Sequence, residues 1–173
     1  MKLTALALSG LLALVASAIL VAPASSGDGP LSAELREIRS AVARYHSFAQ
    51  AEADGYTVEN EPCISSPGGA MGIHAVNSQL LADDTIDPTR PEILLYAPTT
   101  NGGRKLVGVE YWKRDADQNL ATSGDRPSLF GRAFDGPMPG HNPVMPAHYD
   151  LHAWVAEANP SGVFAPFNPE VAC

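Results

Sequence analysis

The chain has 173 residues, of which 45% are hydrophobic, and a formal net charge of −8. Nucleic acids and anionic lipid surfaces attract basic patches, and no run of basic residues is present, so we expect neither as a partner. Once an N-terminal signal is removed, the length suffices for one domain with a hydrophobic core and is too short for two.

The N-terminus has the pattern of a secretory signal peptide. A short basic start at Met1-Lys2 precedes an apolar run, Leu3 to Val21, and small residues at Ala22 and Ala24 fit a cleavage site. The alternative is a permanent membrane anchor, but no basic stop-transfer cluster follows. We therefore predict a signal peptide over residues 1–24, a linker over 25–30 and one exported domain over 31–173, without a stable membrane anchor after cleavage.

One amphipathic helix is predicted at the start of this domain. Apolar residues recur there at spacings of three and four, which is the period of one helix face. Ser32 can cap the start of the helix, and Gly55 fits a left-handed residue just after its end. The residues of the stripe are Leu31, Leu35, Ile38, Val42, Tyr45 and Ala49.

An antiparallel sheet is predicted to pack against this helix. The runs 92–97 and 105–112 are rich in strand-forming residues, and the Asn-Gly-Gly sequence at 101–103 between them is a strong hairpin signal. Residues 72–76 and 148–155 are predicted as further strands. The predicted fold class is therefore α+β, with one N-terminal amphipathic helix on a curved antiparallel sheet.

A long segment rich in proline and glycine, residues 113–147, interrupts the strand pattern. Unstructured stretches of this length are uncommon inside compact domains, where they usually form binding loops. Phe130, Phe134, Met138 and Met145 make the segment more apolar than a flexible linker. We expect a packed loop over a site.

The two cysteines, Cys63 and Cys173, are predicted to form a disulfide. An even number of cysteines in an exported protein favours a bridge, and no CxxC spacing indicates a metal or redox pair. A bridge between these cysteines closes a loop of roughly 100 residues, which stabilises the fold by about 4 to 5 kcal/mol in the chain-entropy model. The bridge would also hold the C-terminal tail.

Three of the five histidines fall within twelve residues near the C-terminus. Imidazole is the commonest metal ligand in proteins, and this cluster includes a carboxylate. As a strand, the segment 148–155 places two of these histidines, the aspartate and Trp154 on one face. As a helix, it would place the same two histidines four residues apart, but the glutamate of the HExxH motif is absent. The cluster consists of His141, His148, Asp150 and His152.

Two residues elsewhere in the chain are candidate partners of this cluster. His74 follows a glycine-rich turn at the start of a predicted strand. Strand alternation places Glu110 on one face with Leu106 and Trp112, and places Val107 on the opposite face. Glu110 is either partly buried or a charge at a sheet edge; burial would raise its pKa unless a cation compensates.

Several specific motifs occur from Tyr56 onward, among them GAMGIH at 69–74, LVGVEY at 106–111 and HYDLHAW at 148–154. With these motifs the chain resembles an uncharacterised family of secreted bacterial proteins. The resemblance covers nearly the whole predicted domain and implies a single exported domain, but it carries no activity.

These observations predict a secreted metal-binding protein. The candidate ligands are His74, Glu110, His141, His148, Asp150 and His152. Imidazole with carboxylate suits Zn, Cu, Ni or Fe(II), with Zn or Cu expected, and the lack of thiolate ligands favours an open site. Whether the protein is an enzyme stays open.

Two alternatives to a metal-binding protein remain. One is a secreted module that binds a small molecule in a pocket lined by aromatic side chains. The other is a structural secreted domain in which the histidines only organise loop hydrogen bonds. The aromatic residues expected in the pocket are Tyr96, Tyr111, Trp112, Phe134 and Trp154.

Overall fold

A computed structural model describes residues 30–58, 63–141 and 144–173. The predicted signal peptide lies outside the described residues, as does the linker up to residue 29. No helix in the described part of the chain is long and apolar enough to cross a membrane.

The predicted N-terminal helix is present but is broken into two. Helix α1 (Pro30–Val42) continues into a 3-10 turn (Ala43–His46), and α2 (Phe48–Ala53) follows. The break lies at Ser47, whose backbone is extended, with ψ of 108°. Ile38, Val42 and Tyr45 are buried as the stripe predicts, whereas Ala49, beyond the break, is exposed. The prediction of one continuous helix through Ala49 was therefore wrong.

The predicted antiparallel sheet forms the body of the domain and has seven strands. The elements are β1 (Tyr56–Thr57), β2 (Ile64–Ser66), β3 (Gly69–Asn77), α3 (Ser78–Asp83), β4 (Ile93–Pro98), β5 (Arg104–Arg114), β6 (Ser128–Leu129), β7 (Arg132–Ala133), β8 (Asp135–Met138) and β9 (His148–Ala153). The strand order in the sheet is β1-β3-β4-β5-β9-β8, and β2 also pairs with β3. The β4–β5 hairpin and the strand assignment of His148–Ala153 confirm the sequence prediction.

A β-bulge in the β4–β5 hairpin changes which side chains share a face. Leu95 pairs with Gly108 but Tyr96 pairs with Leu106, so one residue of β5 is inserted between them. Leu106 consequently packs in the same cluster as Val109, and Val107 packs in the other. The sequence assignment of these two residues was therefore reversed, whereas that of Glu110 was not affected.

The two faces of the sheet bury separate hydrophobic clusters. On one face, helix residues such as Ile38 and Val42 pack against Leu94, Tyr111 and Leu151. The cluster on the other face is smaller and contains Ile93, Leu95, Val107, Trp112, Trp154 and Val171, with Ala70. The second face carries the candidate metal ligands.

The C-terminal tail reaches the second face and is fixed there. Val171 is buried in the smaller cluster, and Asn168 forms a bridge to Ala70 of β3 through two backbone hydrogen bonds. Cys63 and Cys173 form the predicted disulfide, with their Cα atoms 5.4 Å apart. The tail thus closes over β3, the strand that contributes His74.

The segment 113–147 contains more regular structure than predicted. Strands β6 and β7 form a small hairpin, and β8 joins the edge of the main sheet beside β9. The proline- and glycine-rich composition concealed these pairings because each strand has only two to four residues.

Candidate metal centre

Three strands bring a histidine, a glutamate and a second histidine to the same face of the sheet. Glu110 of β5 lies directly opposite His152 of β9 in the strand register. His74 lies on β3, beyond the intervening strand β4, opposite Leu95. Neighbouring strands are about 4.8 Å apart, and β4 lies between β3 and β5. The side chains of His74 and Glu110 therefore together span twice that distance.

The side-chain atoms of these three residues converge. Glu110 Oε2 lies 3.1 Å from His74 Nε2 and 3.7 Å from His152 Nε2. One ligand atom from each residue lies within 4.8 Å of the others. Ligands bound to a tetrahedral zinc at about 2.0 to 2.1 Å are separated from one another by about 3.3 Å. The spacing therefore matches a single ion with only small side-chain movement.

All three side chains are buried. The exposed fractions are 7% for His74, 4% for Glu110 and 1% for His152. In the described part of the chain, neither Nδ1 nor Nε2 of His152 has a hydrogen-bond partner. Leaving a buried polar atom unpaired costs about 1 to 3 kcal/mol, so a ligand for this ring would be strongly favoured.

The protonation states of the site suit a cation. Burial opposes the ionisation of Glu110, but the attraction of His152 and His74 outweighs it and lowers the pKa of the carboxyl. Burial also lowers the pKa of His152. The negative charge of Glu110 acts in the opposite direction and raises the pKa of His152, but burial is the larger influence. The site thus favours an ionised carboxylate and disfavours a protonated His152, and an ionised carboxylate and an unprotonated imidazole are the forms that bind a metal ion.

Asp150 lies behind His152 and is not part of the converging group. Its Oδ1 is 3.9 Å from His152 Nδ1, on the side of the ring away from Glu110. Burial, together with the negative charge of Glu110, raises the pKa of Asp150 to about 8. A carboxylate facing the second nitrogen of a ligand histidine commonly fixes the orientation of the ring. The 3.9 Å separation is too long for that hydrogen bond, so Asp150 lies next to the ligand group without contacting its nitrogen.

The other two predicted ligands lie beside the centre. His148 is buried, and its Nδ1 lies 3.1 Å from the carbonyl oxygen of Pro146. Its ring stacks on the ring of Trp112, with 5.5 Å between the ring centroids. His141 is exposed, and its ring lies edge-on to the His148 ring, with 5.2 Å between the ring centroids. Among the described residues, neither belongs to a group of three ligand atoms within 4.8 Å.

A second buried glutamate was missed by the sequence reasoning. Glu92, only 1% exposed, precedes β4, and its Oε2 accepts a hydrogen bond from the backbone N–H of Trp112 at 3.1 Å. Burial raises its pKa to about 7. The sequence gave no sign that Glu92 is buried, because the residue stands just before an apolar strand. As a second buried glutamate, Glu92 is a matched control for substitutions of Glu110.

The aromatic residues expected to line a ligand pocket are core residues. Tyr96, Tyr111 and Phe134 are buried in the larger cluster, and Trp112 and Trp154 in the smaller one. A cleft of about 450 Å³ is instead lined by residues such as Phe130, Arg132 and Phe164, and a second, of about 500 Å³, lies near Arg44 and Arg90. Neither cleft is lined by a residue of the converging group.

The chain matches no protein-family model, no curated protein sequence and no solved structure.

Proposed function

We propose that this protein is an exported metal-binding protein that holds one divalent transition metal ion between His74, Glu110 and His152. The observation that carries the proposal is the convergence of three buried ligand atoms, from three different strands, within 4.8 Å. An ion at this position would pair with the Glu110 carboxylate and provide a partner for the His152 ring.

The ligand set narrows the class of ion. Two imidazoles and one carboxylate suit Zn²⁺, Cu²⁺, Ni²⁺ or Fe²⁺, and they are a poor set for Ca²⁺ or Mg²⁺, which prefer oxygen. Zinc enzymes of the His₂Glu type use this set with an open position for water. Here the ligands are buried, which favours an enclosed ion; the open position expected from the sequence stays a prediction. We propose Zn²⁺ or Cu²⁺ as the resident ion.

The proposal that the protein is exported depends on observations other than the metal centre. The predicted signal peptide and the resemblance to secreted bacterial proteins both point to a location outside the cytoplasm, and the Cys63–Cys173 disulfide is consistent with it. In such a protein the buried centre would serve to hold metal or to stabilise the fold.

Metal stoichiometry of the untagged protein tests the proposal. Protein stripped with a chelator is reloaded with Zn²⁺ or Cu²⁺, separated from free metal by gel filtration and analysed by mass spectrometry. We expect one ion per chain. His74→Ala should lose the ion, whereas the matched change His141→Ala, at an exposed histidine outside the converging group, should retain it.

Two results would contradict the assignment. One is a wild-type protein that retains well below one ion per chain after reloading. The other is loss of metal in His141→Ala with retention in His74→Ala, which would place the ion elsewhere. Circular dichroism of each variant shows that it is folded, and Glu110→Gln provides a second, less disruptive variant. Loading with Co²⁺ then reports the coordination geometry through its visible absorption.

A further inference from the structure

The metal centre is closed to solvent, so an ion needs an opening to reach it. Glu110 Oε2 and both ring nitrogens of His152 are buried, and the His74 side chain is only 7% exposed. Protein interiors are close-packed and leave few voids larger than a water molecule, so an ion does not pass between packed side chains. A segment that covers the centre must therefore move when an ion enters or leaves.

The smaller hydrophobic cluster surrounds the centre, and one of its members comes from the C-terminal tail. Residues two apart on a strand share a face, and so do residues paired across two strands. Val171, only 4% exposed, belongs to this cluster and therefore packs on the face that carries the ligands. The cluster members that neighbour the ligands are Leu95 opposite His74, Trp112 two residues after Glu110 and Trp154 two residues after His152.

Val171 covers this face and is not part of the sheet. Among the buried members of the smaller cluster in the described part of the chain, only Val171 lies outside the strands and the positions next to them. The other members are supplied by β3, β4 and β5 and by the end of β9. The tail is therefore a separate segment laid over the face that holds the metal centre.

Asn168 fixes the beginning of this tail to β3. Its backbone N–H donates to the carbonyl oxygen of Ala70, and its carbonyl oxygen accepts from the Ala70 N–H, both at 3.1 Å. Its side-chain amide donates to the Ala158 carbonyl oxygen and accepts from the Glu170 N–H, both at 3.0 Å. A Cβ at Gly69 would lie 2.2 Å from the Asn168 carbonyl oxygen, so the two segments are in close contact there. Asn168 is thus a fixed point from which the last residues extend.

Beyond Asn168 the tail is held to the rest of the domain by two features. Among the described residues, no hydrogen bond joins residues 169–173 to any residue other than Asn168. The remaining attachments are the buried Val171 side chain and the Cys63–Cys173 disulfide. Cys173 is exposed and Cys63 is half-buried, so a dissolved reductant can reach the bridge. One buried valine is a weak attachment, and chain ends fray unless they are tied down.

We propose that residues 169–173 form a lid over the metal centre and that the redox state of the Cys63–Cys173 disulfide controls this lid. The proposal rests on the metal-binding function proposed above. With the bridge formed, Val171 stays in the smaller cluster and the ion is retained. With the bridge reduced, the tail opens around Asn168 and the ion exchanges with solvent.

The reductant required is a dithiol. Its first thiolate attacks the exposed Cys173 sulfur and displaces the Cys63 thiolate, which forms a mixed disulfide. Its second thiolate then displaces Cys173, and the dithiol leaves as a disulfide. Two electrons and two protons pass to the two cysteines, and a Zn²⁺ ion keeps its oxidation state throughout.

The rate at which Zn²⁺ leaves the protein tests this proposal. Zn²⁺-loaded protein is mixed with an excess of a chromophoric chelator, and the rate of Zn²⁺ transfer is measured at constant pH. The reduced form is prepared with dithiothreitol, alkylated with iodoacetamide and freed of reductant before it is loaded, so that no thiol competes for the ion. We expect release at least about tenfold faster from the reduced form than from the oxidised form, because an untied chain end opens locally.

Matched variants separate opening of the lid from a general loss of stability. Ile38→Ala removes a buried side chain from the cluster on the opposite face and keeps the bridge, so its release rate should stay within about twofold of the wild-type rate. If the reduced form does not stay folded by circular dichroism, oxidised Val171→Ala replaces it. This variant should release Zn²⁺ at least about threefold faster than the wild type, whereas Ala172→Ser, at an exposed neighbour, should not.

The outcomes distinguish the lid from the metal centre. Equal release rates from the oxidised and reduced forms, with one ion bound in each, would overturn the lid alone. An equal acceleration in Ile38→Ala would also overturn it, since release would then follow unfolding of the whole domain. A protein that holds no Zn²⁺ in either form would overturn both the lid and the proposed function.

Discussion

Replacing Glu110 by glutamine gives the sharpest test of the transition-metal centre. Glutamine has nearly the same shape as glutamate but no charge, so the fold is perturbed little while the anionic ligand is lost. Glu110 Oε2 lies between the two histidines, 3.1 Å from His74 Nε2 and 3.7 Å from His152 Nε2. Removing it therefore affects the whole ligand set, and we expect at least about a hundredfold loss of metal affinity, or about 2.7 kcal/mol.

The effect can be read as a change in thermal stability. Free metal at about a thousand times the Kd stabilises the folded state by about 4.1 kcal/mol, which raises the Tm of a domain of this size by about 8 to 16 °C. At the same metal concentration the variant would be at only about ten times its Kd. Its stabilisation should then be about 1.4 kcal/mol, equivalent to about 3 to 6 °C.

The assay is differential scanning calorimetry of chelator-treated protein over a series of Zn²⁺ concentrations at constant pH. Glu92→Gln is the matched control, since Glu92 is a buried glutamate outside the ligand group, and it should keep the full metal-induced shift. The reasoning is refuted if Glu110→Gln and Glu92→Gln show the same shift as the wild type. It is equally refuted if the wild type shows none at saturating metal.

The raised pKa of Glu92, about 7 when folded against 4.5 normally, means that the folded state binds the proton more tightly. Stability should therefore fall as pH rises from about 4.5 to about 7, by up to about 3 kcal/mol, and urea unfolding should show no such component in Glu92→Gln. Replacing Cys63 and Cys173 together by serine should lower the unfolding free energy by about 5 kcal/mol, measured in guanidinium; a change below about 1 kcal/mol would contradict the proposed contribution of the bridge. Gly72→Ala should cost more than about 2 kcal/mol, because φ is +98° and a Cβ would lie 2.6 Å from the Tyr96 carbonyl oxygen; an unchanged Tm would show that the backbone relaxes easily.

Local patterns in the sequence were enough to predict the hairpin, the last strand with its two faces, and the disulfide. The alternation in HYDLHAWV separated His148 and His152 from Tyr149 and Leu151, because side chains on a strand alternate whatever lies beside it. The Asn-Gly-Gly turn predicted the β4–β5 hairpin for an equally local reason. The disulfide followed from the number of cysteines. None of these inferences required knowledge of strand order.

The tertiary structure alone decided which of the candidate ligands meet. His74 joins Glu110 and His152 because β3 lies two strands from β5 and because all three side chains point to one face. Strand order depends on contacts between residues far apart in the chain, which no local period records. The β-bulge that places Leu106 and Val107 on the faces opposite to those predicted is also invisible in a local pattern, because it arises from the pairing of β5 with β4. His74 and His141 were both candidate ligands, and the fold brought His74 to the centre and left His141 outside the converging group.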